Sequence, residues 1–333
     1  SWPKQGAGDC VSALHDAIRK VLNRGDKNCD LLVSGEVISI EPEVPARSEL
    51  RPRIVQEKWK TLVAFVFLAG NVVLNLACLA IVHERMPDRT RYPPLPDVFF
   101  DLFPPIDWAL DVSEIIIVVC SWSTLVLLLV HRYRWIVLQR VFLIMGLLYF
   151  MRVITMFVTQ VPVSSTTYYC SPKANSTDPL LILKRVVQLL SGFGLSINGQ
   201  HTFCGDYIYS GHTLILTLSC LVIGEYSPQR CKIVHAFFLV LSSVGIFMVL
   251  LSRGHYTVDV VVSYYATTRL FWIYHNLANN QFLKNPSPYN YLARTWWFPL
   301  FSYFEENVGS VVPHQYEWPL SWPRSWLPRT RVY

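Results

Sequence analysis

The residues of this chain whose types and spacing could do chemistry are two histidines and an aspartate. His212 lies in the polar stretch CGDYIYSGHT, and Asp259 follows His255 by four residues. In a helix, that spacing places the carboxylate one turn from the imidazole, where it can hold one ring nitrogen and make the other a stronger nucleophile. A second histidine held opposite can protonate a departing oxygen. The three residues together predict transfer of a phosphoryl group through a phosphohistidine.

The composition is that of a membrane protein. Of the 333 residues, 52% are hydrophobic and only 16% are charged, which is too apolar for an ordinary soluble domain. The net charge of +6 is compatible with basic cytoplasmic loops and does not indicate a nucleic-acid partner. The eight cysteines form no C-x-x-C pair, and His83 with Glu84 lacks a second histidine at metal-ligand spacing. The sequence therefore predicts neither a metal nor another cofactor.

Six apolar stretches are near the length that crosses a hydrocarbon core, which predicts an all-α membrane protein with six transmembrane helices. They lie at about 61–82, 112–130, 141–159, 208–224, 233–252 and 256–275. The fourth is the weakest, because it is short and needs the preceding DYIY to complete a crossing. The expected domains are a partly disordered cytosolic segment (1–57), a six-span catalytic domain (58–276) and a cytosolic tail (277–333) with tryptophan-rich stretches anchored at the interface.

Basic residues set the expected orientation. The segments before the first span, between the second and third, between the fourth and fifth, and after the sixth are all basic. The positive-inside rule places these segments and both termini in the cytosol. His212, His255 and Asp259 then share the lumenal or exoplasmic face. Ionisable groups at a membrane entrance are costly and seldom gather without a function, although a single interfacial histidine is more often structural.

The long loop at 160–207 carries two further features. Asn175-Ser-Thr is a glycosylation acceptor sequence that could be used only on the lumenal side, which agrees with this orientation. Cys170 and Cys204 share the loop in an oxidising compartment. The sequence leaves open whether these two cysteines are bridged.

Four other polar residues are candidates for substrate binding: Asp206, Ser210, Arg253 and Arg152. Arg152 falls within the third span, where a guanidinium either pairs, with Glu114 as the candidate partner, or contacts phosphate. Asp206 could polarise the site, and Ser210 is expected to bond the backbone where the fourth span begins. Arg253 either holds phosphate oxygens or extends to the membrane interface.

Four separated motifs resemble the signatures of the sphingomyelin synthases, a membrane branch of the lipid phosphate phosphatase superfamily. The clearest are CGDYIYSGHT and HYTVDVVVSYYATTRLFWIYH, and the earlier ones are PPLPD at 93–97 and the third-span residues Arg140, Tyr149, Arg152 and Thr159. The resemblance covers about residues 57–323. It implies a six-helix bundle like that of the lipid phosphate phosphatases.

The resemblance also implies a reaction and the roles of three residues. A phosphocholine or phosphoethanolamine headgroup would pass from a glycerophospholipid to the primary hydroxyl of ceramide, with release of diacylglycerol. His255 would be the nucleophile, Asp259 its orienting partner and His212 the acid and base. The expected partners are these membrane lipids, the expected location is the Golgi membrane, with the endoplasmic reticulum or plasma membrane as alternatives, and a homo-oligomer is compatible with the sequence.

Two positions depart from the family pattern, and two rival functions exist. Gln139 stands where a second arginine is usual, and Gly254 stands where vertebrate members carry Asp or Glu, so the choice between choline and ethanolamine stays open. A phosphatase or phospholipase C-type hydrolase would use water as the acceptor, but such phosphatases space the last arginine and histidine as S-R-x5-H, unlike SRGHY here. A non-catalytic ceramide-binding protein would not need His212, His255 and Asp259 together.

Overall fold

The structure of the protein is a computed structural model that describes residues 56–88, 91–165, 170–173, 179–191, 203–228, 230–287, 289–309 and 311–317. Throughout these ranges the regular elements are helices, joined by one isolated antiparallel bridge between His131 and Tyr316. The glycosylation candidate Asn175 lies outside the described residues. So do residues 1–55, which hold nearly all of the expected N-terminal segment, and the last tryptophan-rich stretch of the tail.

Ten α-helices and one 3-10 helix occur within the described ranges. They are α1 (Lys58–Arg85), α2 (Val98–Leu102), α3 (Ala109–Val130), α4 (Arg134–Val158), α5 (Pro179–Ser191), α6 (Gly211–Tyr226), α7 (Lys232–Leu251), α8 (Thr257–Asn279), α9 (Gln281–Lys284), the 3-10 turn (Tyr291–Arg294) and α10 (Phe298–Glu305). The six predicted spans correspond to α1, α3, α4, α6, α7 and α8. The prediction of an all-α membrane fold is confirmed.

Four of these helices, α1, α3, α4 and α7, are long and apolar enough to cross a membrane. The helix α6 is apolar but has only 16 residues, because Ser210 caps it and the preceding DYIY stretch is not helical. The helix α8 has 23 residues and a more polar composition. A crossing by α6 and α8 therefore remains a prediction, whereas their places in the bundle are those that the sequence indicated.

The core runs between α1, α4, α6 and α8. Leu143, Ile144 and Leu147 of α4 are buried against Leu214 of α6 and Tyr274 of α8. Since α6 and α8 both begin beside the two histidines, their last turns lie at the opposite end of the bundle. The site therefore occupies one end of a packed apolar core.

The segment after α8 is more than a set of interfacial anchors. Trp296 is 60% exposed, as an anchor would be, but Phe298, Phe301 and Phe304 of α10 are buried in the same core as the long helices. Gln139 of α4 donates from Nε2 to the carbonyl of Phe304 at 2.8 Å. The aromatic stretch thus closes the end of the bundle opposite to the histidines, because these phenylalanines are three residues apart and share the inward face of α10.

Candidate active site

Two imidazoles meet at one end of the bundle. The ring centroids of His212 and His255 are 5.5 Å apart. His212 is the second residue of α6, whose start is set by Ser210: its hydroxyl accepts from the N–H of Thr213 at 3.2 Å, as the sequence predicted. The His255 side chain is 4% exposed and that of His212 is 18% exposed. Both rings are therefore largely shielded from water while remaining within reach of one reacting group.

Asp259 holds the site together in a way that helical spacing alone did not indicate. The helix α8 begins at Thr257, so His255 precedes it and the expected helical turn between His255 and Asp259 is wrong. Asp259 instead caps the helix, because its Oδ2 accepts from the N–H of Tyr256 at 2.9 Å. Its Oδ1 accepts from the N–H of Ile208 at 2.8 Å, and His255 Nδ1 lies 3.6 Å from Oδ2.

The backbone next to this carboxylate is strained. Ile208 has φ 72°, a left-handed conformation that a β-branched residue rarely adopts. Its N–H is the group that donates to Asp259. Arg253, two residues before His255, also has a positive φ of 52°. Strained positions of this kind persist where the surrounding contacts enforce them and occur most often at functional sites.

Glu114 is a functional candidate whose place the sequence analysis misjudged. It was expected to pair with Arg152, but its Oε1 lies 3.8 Å from Nε2 of His212. The side chain is 0% exposed, in the second turn of α3. His212 therefore has an acidic neighbour, as His255 has Asp259. The sequence did contain a sign that Glu114 is near the site, because Glu114 lies close to the start of a predicted span, at the same end as both histidines.

Arg152 pairs with Asp206 instead. The two side chains form an ion pair, Arg152 Nη1 donates to Oδ1 of Asn75 at 3.0 Å, and Nε donates to the carbonyl of Tyr209 at 3.0 Å. A Cβ at Gly211 would lie 3.0 Å from the guanidinium carbon, so glycine at that position permits this close approach. The guanidinium thereby links α1 and α4 to the segment that carries Asp206 and His212.

Asp206 is held ionised beside the histidines. Burial raises the pKa of its carboxyl, but the charge and hydrogen bond of Arg152 together with the charges of His255 and His212 outweigh burial and hold that pKa below its usual range. Its Oδ2 contacts Arg152, whereas its Oδ1 is buried without a hydrogen-bond partner in the part of the chain that the structure describes. One oxygen of this carboxylate is therefore available to a group that enters the site.

Arg253 is bound within the protein rather than extended to the interface. Its Nη2 donates to the carbonyls of Phe100 at 2.7 Å and Phe103 at 3.2 Å, and its guanidinium lies 5.0 Å above the ring of Phe100. Its Nε is buried without a partner among the described residues. The side chain thus fixes the loop before His255, with one N–H left to donate.

Asp97 of the PPLPD motif belongs to the site's support, a role that the sequence did not indicate. Its Oδ2 accepts from the N–H of Thr257 at 2.8 Å, and its Oδ1 accepts from the hydroxyl of Thr257 at 2.7 Å and from the N–H of Phe99 at 2.9 Å. Burial raises the pKa of Asp97, but these hydrogen bonds outweigh it and lower the pKa. Asp97 therefore anchors the start of α8 to α2.

A disulfide closes the segment that leads into the site. Cys170 and Cys204, whose pairing the sequence left open, are bonded to each other. The N–H of Cys204 donates to Nδ1 of His83 at 3.0 Å, and Nε2 of His83 lies 3.0 Å from the carbonyl of Ser171. Both nitrogens of His83 therefore hold the bridged segment. No cluster of metal-ligating side chains occurs within the described ranges.

Comparison with known proteins agrees with this arrangement. The family profile described as PAP2 superfamily C-terminal matches residues 203–276, which contain both histidines and Asp259. The chain is 48% identical over 300 residues to phosphatidylcholine:ceramide cholinephosphotransferase 1 of Rattus norvegicus, covering 90% of this chain and 70% of the relative. It is 46% identical over 283 residues to phosphatidylcholine:ceramide cholinephosphotransferase 2 of Homo sapiens, covering 84% and 77%.

Proposed function

The chain belongs to the sphingomyelin synthases, a family of phosphotransferases, and we propose that it moves phosphocholine from phosphatidylcholine to the primary hydroxyl of ceramide. The observation that carries the proposal is the 5.5 Å separation of the His212 and His255 rings, each beside a fully buried carboxylate. One imidazole can attack phosphorus while the other handles the proton. Both substrates are bilayer lipids, which suits a site at the end of a membrane bundle.

In the first step, Nε2 of His255 attacks the phosphorus of the donor lipid. Nδ1 faces Asp259, whose two oxygens are already fixed by backbone N–H groups, so the orienting carboxylate cannot turn away. As the nitrogen–phosphorus bond forms, the bond to the glycerol oxygen breaks, and His212 donates a proton to that oxygen. Diacylglycerol leaves, and phosphocholine remains on His255.

In the second step, ceramide replaces diacylglycerol. His212, now neutral, takes the proton of the primary hydroxyl, and the hydroxyl oxygen attacks phosphorus while the nitrogen–phosphorus bond breaks. Glu114 stabilises the imidazolium of His212 that results, from its buried position 3.8 Å away. The 3.6 and 3.8 Å separations exceed hydrogen-bond length, and such catalytic contacts commonly shorten when substrate binds.

Choline is the headgroup that we propose, with ethanolamine as the alternative. The support for choline is the printed name of relatives that share nearly half of the aligned residues. Gly254, next to His255, presents no side chain to the headgroup; a Cβ there would lie 3.2 Å from Ser252 Oγ. Selection by a carboxylate at this position is therefore absent in this chain.

The proposed orientation follows from the basic segments, and the proposed compartment from the family resemblance. We place both termini in the cytosol, the site at the lumenal or exoplasmic face, and the protein in the Golgi membrane. The Cys170–Cys204 disulfide on the site side supports an oxidising compartment there. Self-association remains a prediction from the sequence.

A donor-trapping experiment tests the mechanism. Purified protein in vesicles receives phosphatidylcholine labelled in the headgroup phosphate, without ceramide, and the protein is then isolated. We expect an acid-labile, base-stable label that His255→Asn lacks and that chases into sphingomyelin when ceramide is added. The control is His314→Asn, which changes an exposed histidine at the opposite end of the bundle.

Three results would contradict the proposal. Label that persists in His255→Asn would show that His255 is not the nucleophile. Product formed without any protein-bound label would favour direct transfer between the two lipids. Release of phosphocholine without sphingomyelin would indicate a hydrolase. Repeating the chase with labelled phosphatidylethanolamine compares the two headgroups directly.

A further inference from the structure

The helix α5 takes no part in the proposed chemistry, yet one whole face of it is apolar and exposed. The exposed positions have a spacing of three or four residues, which places them along one side of a helix. They are Leu180, Leu183, Val187 and Leu190, with exposures from 44% to 77%. Lys184 is also exposed and lies at the edge of this stripe. A helix that faced water would carry polar residues on that side.

The opposite face of α5 packs against the end of α1 that is nearest the site. Arg185 and Val186 are buried, and Arg185 forms an ion pair with Glu84 in the last turn of α1. The guanidinium of Arg185 also lies 5.2 Å above the ring of Phe203. These contacts fix which side of α5 points outward, so the exposure of the stripe follows from the packing of the helix.

The surface around α5 is already apolar. The helix α1 packs along α4, and both are long and apolar enough to cross a membrane. At the site end of α4, Ile154, Phe157 and Val158 are exposed, the last by 73%. In a membrane protein such residues face lipid. The stripe of α5 therefore continues the surface that α1 and α4 present to the acyl chains.

We propose that α5 lies in the membrane leaflet on the active-site side, with its apolar stripe among the acyl chains and Lys184 among the headgroups. A short helix with one apolar face and a basic residue at its edge has the chemistry of an interfacial helix. The partner is the lipid surface itself. This inference does not depend on the proposed reaction.

Contacts connect this helix to the site. Phe203, which lies beneath Arg185, packs edge-on against His83 with ring centroids 5.2 Å apart. His83 accepts from the N–H of Cys204, and Asp206 follows two residues later. The depth of α5 in the leaflet therefore bears on the loop that presents Asp206, at the level where both lipid substrates reside.

Spin labels test the placement without any catalytic readout. Nitroxides are attached at Leu183→Cys, Val187→Cys and Lys184→Cys in protein that retains the Cys170–Cys204 disulfide and has its other cysteines replaced by alanine, reconstituted in phosphatidylcholine vesicles. We expect oxygen to relax the labels at 183 and 187 more than a water-soluble nickel chelate does, with the reverse at 184. Val66→Cys on α1 and Tyr289→Cys, both exposed, serve as lipid and water references.

Two outcomes overturn the proposal. Preferential relaxation by the nickel chelate at 183 and 187 would place the stripe in water. Spin–spin broadening at these positions, lost on dilution with unlabelled protein, would show that a second copy covers the stripe.

An activity measurement then tests the connection to the site. Leu183→Glu should lower the transfer rate in vesicles about ten-fold and have a smaller effect with short-chain ceramide in detergent micelles, because a charge on the stripe opposes burial in the leaflet. Lys232→Gln changes the charge by the same amount at an exposed position at the start of α7, away from α5, and should change the rate less than two-fold. Equal losses in vesicles and micelles would contradict the connection.

Discussion

The two ends of the bundle both bury an arginine and a carboxylate, but the ion pair at the end closed by α10 is fully hydrogen-bonded and the groups at the site end are not. At the closed end, Arg140 donates from Nε and Nη2 to the two oxygens of Glu305, each at 2.7 Å, and Tyr274 donates to Glu305 at 3.0 Å. At the site end, four buried atoms of carboxylate, guanidinium and imidazole groups have no hydrogen-bond partner among the residues that the structure describes. They are Asp206 Oδ1, His212 Nε2, Arg253 Nε and His255 Nδ1.

His275 of the closed end makes the same contrast with the two site histidines, whereas His131, also at the closed end, has a buried Nε2 without a partner among the described residues. At the closed end, Nδ1 of His275 donates to the carbonyl of Phe271 at 2.8 Å, and Nε2 accepts from the hydroxyl of Tyr226 at 2.9 Å. At the site end, the nearest acid oxygens to His212 and His255 lie at 3.8 and 3.6 Å. A saturated network specifies one packing, whereas fixed polar groups with unused donors and acceptors are arranged for a ligand.

Replacing one histidine at each end is the strongest test of this difference between the two ends. His255→Ala should lower transfer by more than about a thousand-fold without loss of the folded protein, because it removes the nucleophile. His275→Ala should leave the rate per folded molecule within about three-fold and lower the thermal midpoint, because it removes the buried hydrogen bonds of His275 with the Tyr226 hydroxyl and the Phe271 carbonyl. Rates and thermal unfolding in the same detergent measure both effects. Equal losses of activity in the two variants would show that the ends do not differ.

The closed end should respond to charge removal as a structural pair does. Glu305→Ala leaves the buried guanidinium of Arg140 uncompensated and should destabilise the protein by about 3–5 kcal/mol. The double variant Arg140→Met, Glu305→Leu should recover part of that loss, since the buried guanidinium is removed together with its partner. Thermal unfolding of the three proteins gives the result. A double variant that is less stable than Glu305→Ala would contradict this account.

Replacing Glu114 tests whether this buried carboxylate at the site end contributes to catalysis. Glu114→Gln keeps the shape of the side chain and removes its charge from His212, so we expect transfer about ten- to a hundred-fold slower with a nearly unchanged thermal midpoint. Asp101→Asn, which removes an exposed carboxylate of α2, is the matched control. An unchanged rate in Glu114→Gln would assign Glu114 to structure alone.

The smallest effect concerns pH. Because Arg152 lowers the pKa of Asp206 in the folded protein, ionised Asp206 adds stability above its unfolded pKa of about 4, and this stability is lost as pH falls through the lower folded pKa. Arg152→Met should therefore raise the pKa of Asp206 and move the acidic limb of the pH–rate profile to higher pH. Rates measured from pH 4 to 8 show the shift. An unmoved limb would mean that Asp206 does not face the reacting groups.

The structural features that were predicted correctly depend on residues that are close together in the chain. The lengths of the apolar stretches located six helices, although α4 begins seven residues before the predicted stretch, at Arg134 rather than 141. Their order placed His212 and His255 at one end. Ser210 was recognised as a cap because capping depends on residues that are close in the chain. Partner choice was not predictable in this way: Glu114 was the candidate partner of Arg152 by sequence alone, and only the packing of the helices shows that Arg152 pairs with Asp206.

The amino-acid sequence by itself therefore determined the membrane character of the chain, its helical organisation and the motifs that resemble the family's. These features depend on the length of apolar stretches and on the spacing of residues close together in the chain. Tertiary structure decided which carboxylate faces which imidazole, how Asp259 caps α8, and that α10 enters the core. These outcomes depend on contacts between residues far apart in sequence, such as Gln139 with Phe304. These contacts form, and contribute to stability, only when the helices pack against one another.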